Sequence, residues 1–131
     1  MPLNGDCMLR KILIVEDNEQ NRIMVRDILQ YHGYEVIEAH DGEEGLSMAR
    51  RHMPALVLMD IQMPVMDGLS AGQALRNDPG TSAIKLIALT SFAMKGDREK
   101  IMRAGFDDYI AKPIDTRRLP EIVKKYVGSG I

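Results

Sequence analysis

Short apolar runs alternating with stretches of helical spacing constrain this chain more than any other feature. The runs fall at 12–15, 36–39, 56–59 and 84–89, with a weaker one at 106–111. Runs that are apolar at successive positions suit strands covered by helices on both faces, the situation of a parallel sheet. The stretches between them carry helical stripes: Val25, Ile28 and Leu29; Leu46, Ala49 and Met53; and Leu119, Ile122, Val123 and Tyr126. Spacings of three, four and seven residues put each stripe on one helix face. Five β–α pairs in that order predict an α/β fold, a mostly parallel sheet with right-handed crossovers. A length of 131 residues holds one such domain.

The punctuation agrees with this division. Asp41-Gly42-Glu43-Glu44 reads as a capping box, and Asp67 and Asp115 as N-caps of the third and fifth helices. Gly33 and Gly105 stand where helices should stop, and Asn77-Asp78-Pro79-Gly80 is a turn cluster. Pro120 conflicts with a helix starting at Asp115, because a proline in a helix interior costs about 3 kcal/mol. A helix beginning near Leu119 removes the conflict and is the expected start.

Composition narrows the function classes. Seventeen Lys+Arg against nineteen Asp+Glu give a formal net charge of −2, with no strongly basic run. Nucleic-acid binding by bulk charge is therefore not expected. No apolar run is long enough to span a membrane, and no signal peptide is visible before Glu16-Asp17. One cysteine, Cys7, excludes an internal disulfide and a cysteine-rich zinc site, so a reducing, cytoplasmic setting is expected. His32, His40 and His52 lack partners at metal spacing, and the ten methionines read as core filler. Neither GxGxxG nor GxxxxGK[ST] occurs, so no dinucleotide or P-loop nucleotide site is supported.

Open parallel sheets gather their functional groups at the carboxyl ends of the strands, near the point where strand order reverses. Here the first run is followed by Glu16, Asp17 and Asn18, the third by Asp60, the fourth by Thr90 and Ser91, and the fifth by Lys112 and Pro113. Each has an ordinary reading: Asp17 or Asn18 as a helix cap, Thr90 bonded to backbone, Lys112 as a solvated charge. Asp60 resists that treatment, because it ends the most apolar strand, where an unpaired charge is costly. Two carboxylates about 4 Å apart repel by roughly 4 kcal/mol at an effective dielectric of 20. A hard divalent cation relieves this, and a few carboxylates plus waters suit Mg²⁺, with Mn²⁺ as the alternative. Carboxylate nucleophile, cation, hydroxyl and ammonium together suit phosphoryl transfer.

The strings Ile14-Val15-Glu16-Asp17-Asn18, Leu58-Met59-Asp60-Ile61-Gln62-Met63-Pro64, Ala88-Leu89-Thr90-Ser91 and Lys112-Pro113-Ile114 resemble the receiver domain of bacterial response regulators. The match runs from residue 11 to about 127. The domain is drawn at 9–127, with 1–8 and 128–131 as flexible ends. The segments 92–100 and 104–109 resemble DivK-type stand-alone receivers and the receivers of hybrid histidine kinases. The resemblance implies a doubly wound (βα)5 fold, flavodoxin- and CheY-like, with strand order 2-1-3-4-5. It implies that Asp60 accepts phosphate from a phosphohistidine on a histidine kinase or histidine phosphotransfer protein. Glu16, Asp17, Asp60 and the backbone carbonyl of Gln62 would hold Mg²⁺. Thr90 and Lys112 would bind the phosphoryl group, and Tyr109 would swing inward on activation. Gln62 and Phe92 would tune dephosphorylation, and the Lys112–Pro113 bond would be cis, a state almost confined to X–Pro.

The implied function is a phosphorylation-switched signalling module, not an enzyme beyond self-phosphorylation and slow autodephosphorylation. Its output would run through the fourth helix, fifth strand and fifth helix to an unnamed protein, or through a phosphorylation-dependent dimer. No output domain is expected within these 131 residues, so output would pass through another protein or through chain beyond them. Three other readings compete. A small phosphohydrolase would need a general acid near Gln62. A flavodoxin-like carrier would need a phosphate loop after the first strand, where Glu16-Asp17 repels anions. A receiver-shaped domain that is never phosphorylated is the third.

Overall fold

A computed structural model describes residues 10–63, 66–91, 94–128 and 130. The elements follow in the order β1 (Lys11–Val15), α1 (Glu19–Tyr31), β2 (Glu35–Ala39), α2 (Gly42–His52), β3 (Leu56–Asp60), α3 (Gly68–Asn77), β4 (Lys85–Thr90), α4 (Lys95–Arg103), β5 (Asp108–Ala111) and α5 (Arg118–Val127). All four strand pairings are parallel, and the sheet order is β2-β1-β3-β4-β5. This is the doubly wound (βα)5 arrangement expected of the sequence, with the order reversing beside β1.

Alternation along the inner strands divides the core in two. Leu13 and Val15 of β1, Val57 and Met59 of β3, and Leu86 and Ala88 of β4 face Leu46, Ala49, Ala71, Leu75 and Ile101 on one side. Ile12, Ile14, Leu56, Leu58, Ile87 and Leu89 face Val25, Leu29, Leu119, Ile122 and Val123 on the other. Burying a large aliphatic side chain contributes roughly 1.5–3 kcal/mol, so these two layers hold the fold. The edge strands β2 and β5 are covered less completely, and the weaker apolar run at 106–111 belongs to one of them, β5.

Several local expectations hold and others shift. Gly33 and Gly105 follow α1 and α4 at φ of 93° and 100°, where a side chain would be strained. Asp41 accepts from the Glu44 amide at 2.8 Å, but the Glu44 carboxylate reaches back to the His40 amide at 2.7 Å, one residue beyond the usual box. Met53 does not join the α2 stripe. It is the C-cap, left-handed at φ 46° and half exposed, because the helix ends before its side chain can turn inward. Asp115 is not the α5 N-cap either. Arg117 holds that position, and Asp115 Oδ1 accepts from the Arg117 amide at 2.9 Å in the turn before it. With α5 starting at Arg118, Pro120 lies in the first turn and the conflict disappears.

Within the stretch expected to be a loose end, Gly128 accepts a hydrogen bond from the Tyr34 hydroxyl at 2.7 Å. Gly130 lies so close to the turn after α1 that a Cβ there would meet Gly33 and His32 backbone atoms at 2.8 Å. Cys7 lies outside the described residues.

Candidate functional site

The strand ends carry their polar groups into one crevice. Asn18 is the α1 N-cap, accepting from the Asn21 amide at 2.9 Å, so Asp17 beside it is an exposed carboxylate without that duty. Glu16 and Asp60, by contrast, are buried at the ends of β1 and β3. Asp60 is held at both oxygens: Oδ1 accepts from the Gln62 amide at 2.8 Å and Oδ2 from Lys112 Nζ at 2.9 Å. The same ammonium lies 2.9 Å from Glu16 Oε1. Oε1 is thus ion-paired yet has no hydrogen-bond partner among the described residues.

Thr90, fully buried, ends β4, and its carbonyl accepts from the Lys112 amide at 2.8 Å, which ties the two strand ends together. The Lys112–Pro113 peptide bond is cis. The Ser91 amide donates to Gln62 Oε1 at 2.9 Å, closing one wall of the crevice. Tyr109 is half-buried on β5, with the Arg98 guanidinium 5.9 Å from its ring centroid. Phe92 lies outside the described residues.

One oxygen from each of Glu16, Asp17 and Asp60 falls within 4.8 Å of the others. Three carboxylate oxygens, one buried without a hydrogen bond, fit a hard cation such as Mg²⁺. Burial, first, and then the adjoining Asp60 carboxyl push Glu16 up to about 7, against the opposing pull of Lys112. Burial would lower the Lys112 pKa, but its hydrogen bond to Asp60 and its attraction to both carboxylates outweigh that and raise it, so it stays an ammonium.

The folded chain keeps a proton on Glu16 up to about pH 7, whereas an unperturbed glutamate releases it near 4.5. In metal-free buffer the folded state therefore loses stability as pH rises from about 4.5 to about 7 and levels off above. Glu16→Gln should remove that slope and raise the metal-free Tm at pH 8 by about 10 °C. Added Mg²⁺ should stabilise the wild type at pH 8 far more than the variant. Thermal melts with chelator and with Mg²⁺ across pH 5–8 check both; parallel profiles for the two proteins would contradict it.

The model for the response regulator receiver domain matches residues 12–124. The polar-differentiation response regulator DivK of Brucella ovis is 46% identical over 121 residues, covering 92% of this chain and 98% of that protein. The receiver domain of a Pseudomonas aeruginosa sensor histidine kinase, solved with a magnesium ion coordinated in its active-site cleft, superposes with a TM-score of 0.84 at 38% identity, covering 92% of this chain and 98% of that one. A Saccharomyces cerevisiae receiver domain, from a response regulator crystallised with its histidine phosphotransfer signalling protein, gives 0.84 at 25% identity, covering 92% and 90%. With the family's motifs gathered at the strand ends of its fold, the chain belongs to the response regulator receiver domains of two-component signalling.

Proposed function

We propose that Asp60 is the phosphoacceptor, taking a phosphoryl group from a phosphohistidine on a histidine kinase or histidine phosphotransfer protein. The observation that carries this is the placement of Asp60. It is a buried carboxylate at a strand end, held at one oxygen by the Gln62 amide and at the other by Lys112, within reach of Glu16 and Asp17. The N–P bond of the donor breaks with its electron pair going to the imidazole, and an Asp60 oxygen forms the new P–O bond. The Gln62 amide and Lys112 hold the carboxylate in line for this step, and Lys112 offsets charge on the incoming oxygens. Glu16, Asp17, Asp60 and the Gln62 carbonyl would hold Mg²⁺, or Mn²⁺ in its place, which supplies further neutralisation of the phosphoryl oxygens.

The acyl phosphate then becomes a new acceptor for Thr90 and Lys112. Thr90 moves toward it, and Tyr109 turns into the space vacated, altering the surface made by α4, β5 and α5. Turning a 1:99 population into 99:1 takes about 5.5 kcal/mol of differential interaction, to which charge-assisted hydrogen bonds contribute. Residues 9–127 act as the switching unit, in the cytoplasm, and partners read the surface, with dimerisation one form of output. No helix among the described residues is long and apolar enough to cross a membrane. Gln62 and Phe92 set how fast water removes the phosphate.

The test is incubation with acetyl phosphate and Mg²⁺, followed by intact mass. One added phosphoryl group, lost when EDTA replaces Mg²⁺, is expected. No adduct from acetyl phosphate or from a cognate kinase overturns the reading.

A further inference from the structure

Glu16 and Asp17 are joined by one peptide, and a residue with no part in the reading above holds that peptide. Arg22, in the first turns of α1, donates from Nη1 to the Glu16 carbonyl at 3.0 Å. Its Nε donates to Glu38 Oε1 on β2 at 3.1 Å. The Arg22 side chain is only 14% exposed, and Arg26 Nη1 lies 3.6 Å from the second Glu38 oxygen. The need for such a donor follows from the sheet. The β1–β2 ladder runs on to the Glu16 amide, which donates to the Ala39 carbonyl at 3.0 Å. Beyond Ala39 the chain turns away into α2 with Asp41 as its cap, so no further rung from β2 serves the Glu16 carbonyl. Arg22 takes over that duty from α1.

We propose that Arg22 is a positioning residue for the divalent-cation site, which it serves through the Glu16–Asp17 peptide, with Glu38 as the counter-charge that makes this tolerable. The inference rests on the reading of Glu16, Asp17 and Asp60 as cation ligands. Mg²⁺ demands near-octahedral geometry, so the plane of the peptide between two ligands decides whether both carboxylates can face one ion. A bare guanidinium beside such a site would repel the ion. Paired with Glu38, it donates a hydrogen bond without leaving an uncompensated charge. Lysine could reach the carbonyl or Glu38, but lacks the fork that serves both.

Mg²⁺ titration followed by amide NMR and calorimetry separates the outcomes, using the wild type, Arg22→Ala, Arg22→Lys and Glu38→Gln. Loss of partners that orient metal ligands weakens metal binding by about 10–100-fold, and Arg22→Ala should raise the Mg²⁺ Kd by about tenfold or more. Without metal, its Asp17 amide resonance should already shift, because that N–H belongs to the peptide whose carbonyl Arg22 holds. Arg22→Lys should stay nearer the alanine variant than the wild type. Glu38→Gln should weaken Mg²⁺ binding most at low salt, where the unpaired guanidinium is least screened. Wild-type Mg²⁺ affinity in Arg22→Ala, or an unmoved Asp17 resonance, overturns the proposal. Should Arg22→Ala fail to fold, unchanged affinity in Glu38→Gln at low salt overturns it. A wild type that binds no Mg²⁺ removes the cation reading itself, and the proposal with it.

Discussion

Asp60→Asn should take up no phosphoryl group under conditions in which the wild-type chain is labelled. The substitution keeps the shape of the side chain, and its oxygen can still accept from the Gln62 amide that meets Oδ1 at 2.8 Å. What it removes is the anionic oxygen that would attack phosphorus, since a carboxamide is a poor nucleophile. A drop below roughly a thousandth of the wild-type rate is expected, because the nucleophile itself is gone. The fold should survive. Lys112 loses a charged partner at 2.9 Å but retains Glu16 at the same distance, and one source of repulsion on Glu16 disappears. Metal-free Asp60→Asn should accordingly melt no lower than the wild type. Intact mass after incubation with acetyl phosphate and Mg²⁺ reads the first effect and a thermal melt the second. An adduct forming on the variant at the wild-type rate would place the acceptor elsewhere, and fragment mass spectra would find it.

The inner strands were legible in the sequence because physics leaves little choice there. β3 is buried along its whole length, so Leu56 to Asp60 reads as an unbroken apolar run ending in a carboxylate. The candidate site was legible for a related reason: a parallel sheet collects its polar groups at strand ends, and those ends are where the apolar runs stop. What periodicity could not show is where helices end. Met53 has the right spacing for the α2 stripe, yet the helix closes one residue too soon. Sequence alone leaves Asp17 and Asn18 equal as helix caps; in the fold the Asn21 amide donates to Asn18. Least legible were residues whose partners lie far along the chain. Arg22 meets Glu38 sixteen residues away. Arg76 binds the Gly105 carbonyl and Asp107, tying α3 to the β5 approach. Gly72 makes room for the Phe106 ring, which a Cβ would meet at 2.3 Å. Only the folded arrangement of layers brings such pairs together.

Gly68 belongs to this last group, and Gly68→Ala should combine a large loss of stability with damage to the site. It is the first residue of α3, behind the Asp67 cap that accepts from the Ser70 amide at 2.9 Å. A Cβ there would lie 2.4 Å from the Asp60 carbonyl oxygen, 2.6 Å from Ile61 Cα and 2.9 Å from the Asp60 carbonyl carbon. All three are backbone atoms, so no rotamer change relieves the overlap. Either α3 backs away from the sheet or the end of β3 moves. Overpacking typically costs 1–3 kcal/mol, and contact with backbone puts this case near about 3 kcal/mol, or roughly 10–15 °C in Tm. Gly96→Ala is the control, because a Cβ on that α4 glycine meets nothing within 4 Å. Alanine there should be neutral or stabilising by up to about 1 kcal/mol, through helix propensity alone. The functional loss follows from the identity of the displaced residue. A shift of about 1 Å in a reacting group can cost a hundredfold in rate, and the atoms pushed here carry Asp60. Gly68→Ala protein kept well below its melting point should therefore label with acetyl phosphate about a hundredfold more slowly than the wild type. Wild-type labelling together with a depressed Tm would show that α3 gives way and leaves Asp60 in place.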